Sequence, residues 1–325
     1  MNGDGILDVQ DLSISLIGEG APVGATDKVS FSIGRGEVFG LVGESGCGKS
    51  LCALAIAGLL RAPMAVTGGR MMFEGRDLNT LTPSALRALR GNRISMIFQE
   101  PMTALNPLMT VGDQIGEMFV LHRGLGARAA RMKAIEALEQ VQVSSPERRI
   151  NAYPHQLSGG MRQRVMIAIA LACDPALLIA DEPTTALDVT IQAEIVELVL
   201  DLCRAKGTAV MMISHDLGLV ARICNRVAVM YAGQIVEERN AGAIFTVPAH
   251  PYTRGLVEAL PRLGRRLERG QERLAEIGGV VPALRDFPTG CRFAPRCARA
   301  TAACAVPPTI LALSDGDQVR CVHHV

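Results

Sequence analysis

Residues Gly43-Glu44-Ser45-Gly46-Cys47-Gly48-Lys49-Ser50 match the pattern G-x-x-x-x-G-K-[ST] in full. An apolar, strand-like run, Val38-Phe39-Gly40-Leu41-Val42, leads in, and a helix-like run, Leu51-Cys52-Ala53-Leu54-Ala55-Ile56-Ala57, leads out. Strand, glycine loop and helix together give the pattern its physical content. Glycines let the backbone wrap closely, so that successive N–H groups point inward at phosphate oxygens. The helix N-terminus adds partial positive charge. Lys49 can reach the β- and γ-phosphates, and the Ser50 hydroxyl can ligate Mg²⁺. The bland alternative is a glycine-rich turn with an exposed lysine, which the flanking strand and helix disfavour. The motif implies a bound nucleoside triphosphate.

The rest of the chain must support that loop. Its 325 residues suffice for one large α/β domain plus an appendage. A net charge of +1 gives no global attraction to nucleic acid or anionic lipid, and 3% aromatics argue against a stacking platform for single strands. The N-terminus, Met1-Asn2-Gly3-Asp4-Gly5, lacks the basic start and apolar stretch of a signal peptide. The apolar run from Val165 to Cys173 stops at Asp174-Pro175, short of membrane-spanning length. The expectation is a cytosolic chain whose membrane role comes through a partner. In that compartment Cys47, Cys52, Cys173, Cys203 and Cys224 read as packing residues.

Strand patterns recur at Leu12-Ser13-Ile14-Ser15-Leu16, Val29-Ser30-Phe31-Ser32-Ile33, Arg70-Met71-Met72-Phe73-Glu74 and Ile94-Ser95-Met96-Ile97-Phe98. From about 111 to 141 the pattern is helical, with Met132, Ile135, Leu138 and Val141 as its apolar side. Strands return at 177–180, 208–213 and 226–230, with helices at about 160–171 and 191–205 between them. This alternation indicates a wound α/β sheet interrupted by a helical insertion at about 101–160. The ATPase domain is placed at 1–250 and a distinct extension at 251–325. There, Arg262, Arg265, Arg266, Arg269 and Arg273 interleave with Glu268, Glu272 and Glu276, which suits a solvated helix face better than a nucleic-acid patch.

Two further anion and metal motifs accompany the glycine loop. Leu177-Leu178-Ile179-Ala180-Asp181-Glu182 is an apolar strand ending in two carboxylates. The first can hold Mg²⁺, and the second is placed to orient or deprotonate an attacking water. Leu157-Ser158-Gly159-Gly160-Met161 opens a helix, so Ser158 and the N–H groups of Gly159 and Gly160 form a second anion site.

In this order the motifs resemble the nucleotide-binding subunits of ATP-binding-cassette (ABC) transporters. The pieces are the phosphate loop, Gln99, the signature at 157–161, Asp181-Glu182, Thr185-Ala186-Leu187-Asp188, and His215 in Ile213-Ser214-His215-Asp216. The resemblance covers about residues 6–240. It implies an α/β P-loop NTPase core with a β-rich N-terminal subdomain and a helical subdomain. It also implies a head-to-tail dimer in which each phosphate loop faces the other subunit's signature. Gln99 would touch Mg²⁺ or the water, His215 the γ-phosphate, and Asp188 the opposite ATP site; Asp188 can also cap the following helix. Tyr153-Pro154-His155-Gln156, the run from Ile179 to Thr190, and His250-Pro251-Tyr252-Thr253 narrow the resemblance to dipeptide/oligopeptide importer ATPases, a group that includes nickel importers. It implies a second ATPase subunit, expected to be a paralogue, together with two membrane permeases and a substrate-binding protein. The site of action is the cytoplasmic face of the membrane, with no nucleic acid involved. The segment Glu100-Pro101-Met102-Thr103-Ala104-Leu105-Asn106-Pro107 suits a mobile hinge, and the resemblance implies that it and the helices after it receive a short helix of the membrane subunit.

Two features depart from the wider superfamily. Met161 stands where that superfamily usually has Gln and cannot make its hydrogen bonds, although the peptide-importer group often shows Met there. No aromatic is placed to stack on adenine: Leu16 and Val23 occupy the matching region, and Phe31 and Phe39 look like core positions. The extension carries Cys291, Cys297, Cys304 and Cys321. Their spacing matches neither paired zinc knuckles nor a ferredoxin run. The importer group carries a similar pattern associated with a [4Fe–4S] cluster. Zn²⁺, with His323 or His324 replacing Cys321, and unligated thiols are the alternatives. A non-transport ABC ATPase of DNA repair or translation is one competing function, disfavoured by the short interval before Asp181 and the single cassette; a regulatory or metal-sensing protein that uses the cysteine tail is another.

Overall fold

The computed structural model describes residues 5–99, 104–183, 189–260, 276–313 and 316–324. Its centre is a sheet of eight strands in the order β11-β12-β10-β9-β3-β8-β7-β6. The five strands β6 (Ile94–Ile97), β7 (Leu177–Asp181), β8 (Ala209–Ile213), β3 (Val38–Val42) and β9 (Arg226–Tyr231) run parallel. Continuous apolar sequence is what a strand covered on both faces requires, and β3, β7 and β8 are buried along their whole length. Alternate residues serve opposite layers. Leu177 and Ile179 of β7 face a cluster with Ile6, Leu12, Phe31 and Ile56, whereas Leu178 and Ala180 join the helices on the other side.

The first layer is a separate antiparallel sheet, β2-β1-β4-β5. Strands β1 (Gly5–Leu16) and β2 (Val23–Gly34) contain the expected short strands and extend beyond them, β4 (Met64–Phe73) begins earlier than expected and stops one residue short of Glu74, and the two-residue β5 (Arg76–Asp77) was not expected. Helix α1 (Lys49–Ile56) lies between the two sheets, followed by α2 (Pro83–Leu89). The packing cysteines belong to the cores: Cys47 and Cys52 are fully buried, and Cys173, Cys203 and Cys224 are nearly so.

On the opposite layer the stretch expected to be helical forms two helices, α3 (Val111–Arg123) and α4 (Ala127–Gln140). Gly124, at φ 64°, ends α3 in the left-handed region, and the N–H of Leu125 closes back onto Phe119 O at 3.3 Å. The buried face of α4 is Ala130, Ala134, Ala137 and Leu138, while Met132 is 56% exposed. Leu138 and Val141 of the expected apolar side are buried and Ile135 packs against the core, so only Met132 falls off the face, whose remaining positions are alanines because α3 packs close by. After short α5 (Pro146–Arg149) comes α6 (Gly159–Leu171), then α7 (Val189–Lys206), α8 (Leu217–Ile223), α9 (Ala241–Thr246) and α10 (Pro251–Glu258).

Residues after 250 add to the sheet. Strand β12 (Gln318–Val319) pairs antiparallel with β10 (Gln234–Asn240), and β11 (Leu311–Ala312) pairs with β12. Arg239 Nε donates to Asp317 Oδ2 at 2.7 Å beside that seam. Buried Glu237 accepts from the backbone N–H groups of Ala249 and His250, each at 2.8 Å. Tyr231, Tyr252 and Phe293 form one aromatic cluster, with centroids 4.7 to 5.4 Å apart. The Arg/Glu stretch, except Glu276, the hinge residues 100–103 and the segment 184–188 with Asp188 lie outside the described residues. Among the described residues, no helix is long and apolar enough to cross a membrane.

Candidate active site

In an open parallel sheet, ligands bind beyond the carboxyl ends of the strands, and the candidate residues gather there. The glycine loop follows β3, Gln99 follows β6, Asp181 ends β7 and His215 follows β8. The loop depends on backbone shapes that side chains resist. Gly43 has φ 149°, and a Cβ on it would stand 2.2 Å from Met230 O. Gly48 caps α1 at φ 104°. With Ser45 and Gly46 between them, the chain turns tightly onto the strand edge. Lys49 is buried and folds back over its own loop, its Nζ donating to Gly43 O at 2.8 Å and Glu44 O at 3.0 Å.

Ser50 Oγ donates to Asp181 Oδ1 at 3.2 Å. Burial pushes the Asp181 carboxyl above the ordinary carboxylate range; the Ser50 hydrogen bond and Lys49 partly offset this, while neighbouring Glu182 adds to it. A cation beside that oxygen would relieve the cost of holding a buried charge. Hydroxyl and carboxylate oxygens are the hard donors Mg²⁺ prefers, so these two residues fit it.

The Glu182 carboxylate is the meeting point of the other candidates. Gln99 Nε2 donates to Glu182 Oε2 at 2.8 Å, and His215 Nδ1 lies 3.4 Å from Glu182 Oε1. Glu182 has φ 45° and its N–H donates to Ile213 O at 2.9 Å, which pins a left-handed turn at the strand end. That turn swings Glu182 to the open side while Asp181 stays in the sheet. Side-chain exposure is 19% for Glu182 and 67% for His215, so the carboxylate is semi-enclosed and approachable.

The three candidate anion-binding groups at the start of α6 stand apart from this cluster. Ser158 and Gly159 are exposed at the start of α6, and Ser158 Oγ accepts from Met161 N at 3.3 Å as the helix cap. The Met161 side chain packs against the core, so its missing amide costs no internal bond. Gly160 follows in the first turn. Phe31 and Phe39 stack on each other at 5.1 Å, at 4% and 0% exposure. They are unavailable to a base, whereas Leu16 and Val23, paired across β1–β2, are half-buried.

Known proteins resemble the chain over most of its length. The model of the ABC transporter family matches residues 26–185, and the oligopeptide/dipeptide transporter C-terminal region matches residues 236–304. A probable peptide ABC transporter ATP-binding protein of Sinorhizobium fredii is 52% identical over 98% of this chain and 95% of its own length. The chain is an ABC transporter ATP-binding protein. This ABC protein is also 50% identical to the dipeptide transport ATP-binding protein DppD of Escherichia coli, over 97% of this chain and 96% of that one. Among solved structures, a post-hydrolysis dimer of the ATP-binding cassette MJ0796 with ADP and Pi superposes with a TM-score of 0.64. It has 30% identity and covers 72% of this chain and 98% of its own. The cassette cbiO1 of Clostridium perfringens, part of the ABC transporter complex cbiONQ, gives the same TM-score at 26% identity, over 75% and 92% of the two chains.

Within the glycine loop, Glu44 stands apart. Its N–H donates to Tyr252 Oη at 2.9 Å, and its carboxylate is bound by Arg296. Glu44 therefore does not aim a free N–H at phosphate, as the motif alone suggests. The partners were invisible to sequence spacing because they lie 208 and 252 residues downstream. Buried Gln163, whose Nε2 donates to Pro183 O beyond Glu182, was also missed; a lone amide in an apolar helix was its only signal.

Cys291, Cys297, Cys304 and Cys321 line one small cavity with His250, Phe293 and His323. Burial raises Cys291 and Cys321 above the ordinary thiol range, so the thiol form is favoured. Among the described residues, no group of three or more His, Cys, Asp and Glu side chains stands at metal-holding geometry. His323 Nε2 is engaged by Thr301 Oγ1 at 2.7 Å, and His324 Nδ1 by Cys321 O at 3.2 Å.

Proposed function

We propose that this ABC protein hydrolyses ATP to energise import of peptides or a related small solute through separate membrane subunits. The observation that carries the mechanism is the convergence of Gln99 and His215 on the Glu182 carboxylate, beside the Ser50–Asp181 pair. In this reading Lys49 leaves its carbonyl partners for the β- and γ-phosphates. Ser50 and Asp181 would hold Mg²⁺, which supplies charge neutralisation on the phosphate oxygens. Glu182 accepts the proton of the attacking water, Gln99 orients that water, and His215 contacts the γ-phosphate. Ser158, Gly159 and Gly160 act on the ATP of the second ATPase subunit, with Asp188 beside it. Peptide as the solute class rests on the names of the relatives and on the matched C-terminal region. The assembly is a pair of ATPases, taken here as paralogues, on two permeases at the inner membrane face, fed by a binding protein.

The test is Glu182→Gln in the assembled transporter with the second site silenced. ATP binding persists and single-turnover hydrolysis falls about 10²–10⁴-fold, the range of a lost general base. Hydrolysis near the wild-type rate removes Glu182 from the role.

For residues 251–325 we infer an extension whose four cysteines hold a [4Fe–4S] cluster, with Zn²⁺ as the alternative. Supporting this are sulfur donors that share one cavity and two histidine ring nitrogens that already have partners. The thiols must close in and lose protons to ligate. Anaerobic purification with metal analysis decides it: about four irons per chain supports the cluster, by the cubane stoichiometry. One zinc, or a metal-free and fully thiol-reactive tail, overturns it.

A further inference from the structure

We propose that Arg296 of the C-terminal extension is a positioning residue for the phosphate-binding loop, acting through Glu44. The proposal rests on the reading of that loop as the ATP site and is independent of any metal in the extension. Arg296 is 5% exposed at its side chain and uses all five of its N–H donors. Nη1 donates to Glu44 Oε2 at 2.7 Å and Nη2 to Glu44 Oε1 at 3.0 Å, a two-point fork on one carboxylate. The remaining donors go to Gly278 O at 2.8 Å, Ile277 O at 3.2 Å and Tyr231 Oη at 3.4 Å. The guanidinium is therefore fixed by backbone and aromatic partners before it meets the loop.

Glu44 is held at two more points. Its N–H is taken by Tyr252 Oη at 2.9 Å, and its carbonyl receives Lys49 Nζ at 3.0 Å. The second residue of a glycine loop is thus clamped at side chain, amide and carbonyl, and two of the clamps come from residues beyond 250. A second arginine supports the same wall. Arg292 donates to Ala232 O, and the next residue, Gly233, donates its N–H to Cys47 O of the loop at 3.0 Å. Each arginine is adjacent to a cavity cysteine, Arg292 to Cys291 and Arg296 to Cys297.

A free glycine-rich loop loses backbone freedom when it closes on phosphate, and a loop already pinned loses less. Releasing one or two residues should weaken ATP binding about 5–30-fold. Hydrolysis at saturating ATP should change little, because Arg296 touches none of the residues assigned to the water.

The experiment uses the full chain, with MANT-ATP as binding probe and steady-state hydrolysis in the assembled transporter. Arg296→Gln, Glu44→Gln and the double variant are compared, with Arg296→Lys as the conservative change. The expected result is a Kd raised about 5–30-fold in each single variant, no further rise in the double, and KM raised with kcat within about threefold. Arg296→Lys falls between wild type and Arg296→Gln. If Arg296→Gln does not fold, Glu44→Gln carries the test, because its carboxylate lies at the surface end of the pair. A Kd within twofold of wild type in Glu44→Gln, or additive effects in the double variant, overturns the proposal. Failure of the wild-type chain to bind MANT-ATP instead overturns the ATP-site reading.

Discussion

Individual residues in this site carry more than one duty, and substitutions separate them. Gly43 joins the apolar strand β3 to the loop at φ 149°, with Met230 O where a side chain would begin. Gly43→Ala must move the β9 carbonyl or the loop, a core clash of a kind that costs about 1–3 kcal/mol. We expect a lowered melting temperature together with loss of MANT-ATP binding; unchanged binding would show that the loop rebuilds itself. The sequence made this glycine legible, since the motif demands a tight turn there. It hid the Glu44 clamp, because no local pattern reports a partner 252 residues away. Likewise Asp181 and Glu182 are adjacent in sequence and opposite in environment. The left-handed φ of Glu182 separates them, and no residue type at that position announces it.

At the scale of elements, α6 places its capping residue where the proposed anion contact stands. Ser158 accepts from Met161 N and closes the first turn, while its exposed position suits an anion from outside. The two roles respond differently to substitution. Ser158→Ala removes the cap and should lower stability by about 1 kcal/mol, whereas Ser158→Gly should cost only a few tenths. Both remove the hydroxyl, so both should reduce ATP turnover in the assembled transporter to a similar extent. If Ser158→Gly turns over normally, the hydroxyl serves the helix alone. Strands β3, β7 and β8 were readable because burial on both faces forces continuous apolar runs. The α3–α4 break was not, because Gly124-Leu125-Gly126 lies within an otherwise helical composition. The small residues Ala130 and Ala134 also hide part of the buried face of α4.

For the whole molecule, the sequence separates an ATPase from a tail at about residue 250, yet the central sheet continues into β12, and His250 stands at the joint. It is 1% exposed. Its Nδ1 accepts from Tyr252 N at 3.0 Å to cap α10, and its ring lies 5.8 Å from that of Phe293. Its backbone N–H is tied to Glu237. The short motif His250-Pro251-Tyr252 thus joins β10, the extension and, through Tyr252 Oη, the phosphate loop. Burial drives the imidazole pKa from 6.5 down to about 3. Because the folded value lies below the unfolded one, the unfolded chain takes up the extra proton. The stability of the neutral, buried ring is complete above about pH 6.5 and is lost as pH falls toward 3. The slope is about 1.4 kcal/mol per pH unit, so about 2 kcal/mol should disappear between pH 7 and pH 5. Other groups titrate in this range; buried Glu237 and Glu238, raised by desolvation, work in the opposite direction. A variant that keeps the cap without the proton isolates the histidine. His250→Asn can still accept from Tyr252 N but gives up the ring contact with Phe293, so it is less stable at pH 7. Its deficit relative to wild type, from urea unfolding midpoints, should shrink by about 2 kcal/mol on moving to pH 5. A deficit that stays constant with pH would mean that His250 is not held neutral at the joint.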